Sequence, residues 1–113
     1  MELSKKDKKV AREVIEKGLQ IEFANGLKKA EKVIENWKKN PGQNREAYHL
    51  LFSAIYDFDK HIARRYDRMT GSKYFYIVTD QFSDGMITED DLKDFSREVF
   101  EKILSTKNLG KED

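Results

Sequence analysis

The sequence predicts an all-α fold, a compact bundle of about four helices forming one domain over residues 1–113. Three observations predict it. Charged residues make up 38% of the chain, while proline occurs once and glycine six times. That balance suits long solvent-exposed helices and supplies too few turns for a sheet sandwich. Apolar residues recur at helical spacing along most of the chain, which gathers them on one face. Only one segment has strand-like composition, and a lone strand would leave its backbone donors and acceptors unpaired.

The first helix starts near Lys5, where Ser4 and Asp7 form an N-cap pair. Val10, Val14 and Ile21 define its first apolar stripe. From Phe23 the spacing becomes four, three, four, three through Leu27, Ala30, Ile34 and Trp37, a seam suited to helix packing. Gly18 and Asn25-Gly26 lie around this change of phase and can bend or end a helix. One long, bent helix is the expectation. Asn40-Pro41-Gly42-Gln43 ends it, because proline removes a donor and restricts the residue before it. Asn44 is placed to cap a second helix. On that helix Tyr48, Leu51, Ile55, Phe58, Ile62 and Met69 follow a heptad-like path, with Phe52, Tyr56 and Tyr66 on a neighbouring flank. So wide an apolar arc predicts a central helix touching more than one partner.

After Thr70-Gly71, Tyr74, Phe75, Tyr76, Ile77, Val78 and Thr79 have strand propensity. With no second strand to pair with, a short helix over 72–81 is predicted; an intermolecular strand is the alternative. An Asp84-Gly85 turn then leads to Thr88, the predicted N-cap of the last helix. Asp91 completes a capping box, and Ile87 with Leu92 forms a hydrophobic staple. This helix is expected to run from Glu89 to about Ser105, burying Leu92, Phe95, Val99, Phe100, Ile103 and Leu104. The polar tail at 106–113 is expected to fray.

The stretch from Asp80 to Asp91 also resembles part of an EF-hand calcium loop. Aligned on Gly85, Asp80 takes the first position, Asp84 the fifth and Asp91 the twelfth, so these three are the candidate metal ligands. Met86 would offer a backbone carbonyl and Thr88 a water-mediated contact. Phe82 stands where a third ligand belongs, and Asp91 is one methylene shorter than the usual glutamate. A turn followed by a capped helix accounts for the same residues without metal, and no cofactor is expected.

Net charge is +1, but its distribution is uneven. Residues 1–79 carry 17 Lys/Arg against 11 Asp/Glu, and residues 80–113 carry 5 against 10. The acidic last helix can therefore meet a basic surface of its own chain or of a second copy. Arg64, Arg65, Arg68 and Lys73 form the candidate polyanion-binding cluster, since guanidinium groups at helical spacing meet phosphates well. Tyr66, Tyr74, Phe75 and Tyr76 are the candidate interaction surface.

Cysteine is absent, which excludes a disulfide framework and a thiol nucleophile. No stretch has the length and apolarity of a signal peptide or membrane span, so a cytoplasmic location without membrane contact is expected. Glu46 and His49 form one Glu-x-x-His pair, whereas a di-iron bundle needs two. No Ser/His/Asp order or phosphate loop accompanies them, and no enzyme activity is expected. These readings point to a non-catalytic interaction or regulatory module that self-associates as a homodimer or meets an unknown protein partner. Nucleic-acid binding through Arg64 to Lys73 is the alternative, with degenerate calcium binding behind it.

Overall fold

Ser4 starts the first helix as predicted, its hydroxyl accepting a hydrogen bond from the Asp7 N–H at 3.1 Å. The computed structural model describes residues 1–67 and 69–111. In order they form α1 (Lys5–Lys39), α2 (Asn44–Tyr66), α3 (Tyr74–Ser83) and α4 (Arg97–Lys111), with 3-10 turns at Gly71–Lys73 and Asp90–Leu92. No strand occurs among the described residues, so the fold is all-α with four helices.

α1 runs unbroken through both of its glycine positions. Their role is close approach. A Cβ on Gly18 would lie 2.5 Å from Gln81 Nε2, and one on Gly26 would lie 3.0 Å from the Phe58 ring. Gln81 is buried and donates from Nε2 to the Ile15 carbonyl at 3.0 Å, so it has little room to move aside.

The chain divides into two compact units, Met1–Ile21 with Arg68–Asp113, and Glu22–Asp67. Among the described residues, every buried apolar side chain belongs to the first. There Ala11, Val14 and Ile15 of α1 share a core with Phe75, Ile77, Val78 and Phe82 of α3 and with Leu92, Phe95, Val99 and Ile103. α3 packs against α4. Burial of its aromatic and β-branched residues in this core overrides their strand propensity, since that propensity mostly measures packing on a half-buried surface.

Five local expectations are corrected. The buried stripe of α1 passes through Asp7, Ala11, Val14, Ile15 and Gly18, while Val10 is half-buried and Ile21 is exposed. Asn44 opens α2 without capping it, because its Oδ1 instead accepts a hydrogen bond from Trp37 Nε1 at 2.7 Å. α2 ends at Tyr66, leaving Met69 beyond it. The last helix begins at Arg97 rather than Glu89. The Thr88–Asp91 box does form, with Thr88 N–H donating to Asp91 Oδ2 at 2.7 Å and Asp91 N–H to Thr88 Oγ1 at 3.4 Å. It closes only one 3-10 turn. Ser96 then starts α4, its carbonyl accepting from the Phe100 N–H at 2.9 Å. α4 continues to Lys111, past the predicted end near Ser105; of the tail, Glu112 and Asp113 lie outside the described residues.

Candidate interaction surface

The second unit is a helical hairpin built from residues 22–39 of α1 and the whole of α2, joined through 40–43. Its helices are pinned at both ends. At the turn end Trp37 bonds Asn44. Further along, Phe23 meets Phe58 edge to face with ring centroids 5.6 Å apart. At the open end Glu22, 3% exposed, accepts from Arg65 and lies 3.3 Å from His61 Nε2, both through Oε1. Its Oε2 has no hydrogen-bond partner among the described residues.

Between these pins the hairpin buries little. No residue of α2 is buried. Leu51, Ala54 and Phe58 are half-buried, whereas Tyr48, Leu50, Phe52, Ile55 and Tyr56 are exposed. On α1 Phe23, Leu27, Ile34 and Trp37 are exposed, Leu27 by 72%. A helix pair can cover only the stripe each presents to the other, and both arcs here are wider than that.

The two sides of the hairpin differ in chemistry. One holds a groove of about 230 Å³ lined by Val33, Ile34, Trp37, Asn44, Ala47, Tyr48 and Leu51. The other groove, about 120 Å³, shares Val33, Trp37 and Ala47 with the first and adds Leu50 beside the polar Asn36, Asn40, Gln43 and Glu46. Helical spacing continues the apolar side from Ile34 and Trp37 back to Leu27 and Phe23, and from Tyr48 on to Phe52 and Ile55. Phe52 stacks on Tyr56 at 5.9 Å, and Lys60 Nζ lies 4.6 Å from the Tyr56 ring centroid. This face is the candidate site.

The residues singled out from the sequence are distributed differently. Tyr66 is half-buried in the hairpin; Tyr74, Phe75 and Tyr76 belong to the other unit. There Phe75 is part of the core, Tyr74 is half-buried, and Tyr76 is exposed with its hydroxyl 3.4 Å from the Met1 nitrogen. Arg64 and Arg65 occupy the last turn of α2 and Lys73 the 3-10 turn of the other unit, while Arg68 lies outside the described residues. Arg64 is exposed, but Arg65 is 10% exposed and engaged by Glu22.

Asp80 is exposed on α3, Asp84 follows that helix, and Asp91 is held by Lys17 and Thr88. At the predicted Asp84-Gly85 turn Gly85 adopts φ +76, a left-handed conformation that glycine takes without steric cost. No group of three His, Cys, Asp or Glu residues placed to hold a metal occurs among the described residues, so Asp80, Asp84 and Asp91 are not brought together as one. Glu46 and His49 are both exposed on α2. No helix is long and apolar enough to cross a membrane among the described residues.

Sequence reasoning saw the seam from Phe23 to Trp37 and the breadth of the α2 arc. It missed that these two features form one exposed face. The available signal was their shared excess: each helix carries more apolar width than one neighbour can cover. Compared with family models, curated proteins and solved structures, the chain matches none.

Proposed function

We propose that this protein is a non-catalytic helical interaction module that self-associates through the apolar face of its hairpin. The observation that carries the proposal is that α2, 23 residues long, buries none of them while exposing Tyr48, Phe52, Ile55 and Tyr56 along this face. Exposed patches of this extent mark interaction surfaces. Large side chains left about half exposed offer on the order of 100 Å² each, so seven approach the ~800 Å² per partner of a standard interface.

A second copy suits the charge as well as the area. Residues 22–67 carry nine Lys/Arg against seven Asp/Glu, so two hairpins meet without strong repulsion. Exposed Glu31 and Lys38 on α1 and Arg45 and Asp59 on α2 flank the apolar residues at helical spacing, both signs on each helix. Polar rims around an apolar centre are the ordinary anatomy of such contacts.

Leu27→Glu and Ile55→Glu, separately and together, test the proposal by light scattering after size exclusion. Each change should shift the protein from dimer towards monomer, and the pair should leave monomer alone. The core of the first unit contains neither residue, so its helical circular dichroism should persist. An unchanged dimer in the double variant would refute the role of this face.

A further inference from the structure

The two apolar stripes also determine how a second copy can sit, if self-association through this face holds. We infer that two hairpins pair antiparallel about a two-fold axis crossing the face at the level of Ala30 on α1 and Phe52 on α2. A two-fold of this kind lays each helix against its own copy running the other way. The stripe must then read the same in both directions.

It does on α1. Reversing the seam about Ala30 places Phe23 on Trp37 and, within one residue, Leu27 on Ile34. On α2, reversal about Phe52 places Tyr48 on Tyr56, with Ile55 one residue away. One axis serves both helices only if Ala30 and Phe52 stand at the same height in the hairpin. The packing within the hairpin puts them there. Gly26 lies against Phe58, and Ile34 and Tyr48 line the same groove; Ala30 is midway between the first members of these pairs, and Phe52 within one residue of midway between the second.

The side chains at the axis suit a crossing. Ala30 is small and half-buried, which lets two α1 backbones approach, and Phe52 is 57% exposed, free to meet its own copy. The same axis brings Arg45 opposite the partner's Asp59. Both residues are exposed on α2, seven positions either side of Phe52. The parallel arrangement instead lays α1 over the partner's α2 and sets Arg45 at the level of the partner's Lys38, cation against cation. Like charges placed opposite suppress that alternative.

The chain has no cysteine, so Ala30→Cys and Phe52→Cys each carry a single thiol, ready for a short thiol cross-linker. Antiparallel pairing predicts that each variant alone yields covalent dimer, and that a mixture yields 30–30 and 52–52 linkages without 30–52. A 30–52 linkage as the main product would overturn the orientation while leaving self-association intact. A dimer by sedimentation that cross-links at neither position would also overturn it. A protein that sediments only as monomer would remove the underlying proposal as well. Charge exchange gives an independent reading. Arg45→Glu and Asp59→Arg should each weaken the dimer about tenfold, and the double variant should recover most of the loss. Additive loss in the double variant counts against the pairing.

Discussion

Asp7, in the first turn of α1, holds Ser96 at the start of α4: its Oδ1 accepts the Ser96 N–H at 2.8 Å and its Oδ2 the hydroxyl at 2.7 Å. The carboxylate is 3% exposed, and hydrogen bonds to a charged group are about twice as strong as neutral ones. This contact is why α4 begins at Arg97. Asp7→Ala leaves the Ser96 N–H without its acceptor and should cost about 2–3 kcal/mol, against about 1 kcal/mol for Ser96→Ala. Urea midpoints followed by circular dichroism check both; a loss below ~0.5 kcal/mol for Asp7→Ala would be the size of an ordinary surface change and would contradict the assignment.

Lys17 and Asp91 form an acid-sensitive contact in the same unit. Burial raises the Asp91 carboxyl, but hydrogen bonds from Lys17 and from the Thr88 N–H and hydroxyl, with the Lys17 charge, outweigh it and hold it below its ordinary 3.8. A carboxyl lowered on folding contributes stability above its unfolded value and loses it as pH falls through the folded one. Stability should therefore decline on acidification below about pH 4. Asp91→Asn should flatten that decline in a series of urea midpoints at decreasing pH. An equal slope in the variant would show that other groups carry it.

Arg65 and Glu22 make the corresponding contact in the hairpin. Removing one member of a buried ion pair strands the other, whereas replacing both with apolar residues is often neutral. Arg65→Ala should therefore destabilise the hairpin by about 3 kcal/mol, and Glu22→Leu with Arg65→Leu should recover most of it. Trp37 is the single tryptophan and lies in the hairpin, so its fluorescence reports this unit alone. A double variant as unstable as Arg65→Ala would contradict the account.

What was legible in the sequence was what short range decides. Ser4 with Asp7 and Thr88 with Asp91 lie three residues apart, and both caps form because a helix start is a local matter of orphan N–H groups. The length of the helix after Thr88 was not legible, since Ser96 is held by a residue 89 positions earlier. Arg65 was singled out for its charge, but its partner Glu22 stands 43 positions away with no periodic signal linking them. The breadth of the α2 arc was legible as a demand for more cover. Which flank stays open depended on how α1 and α2 face each other, and periodicity alone does not fix that.

Sedimentation equilibrium of the unaltered chain, from low to high micromolar concentration, tests the central claim most directly. The apolar face predicts a reversible monomer–dimer equilibrium, with the 13.3 kDa chain approaching twice its mass as concentration rises. A single species of monomer mass across the whole range would contradict it.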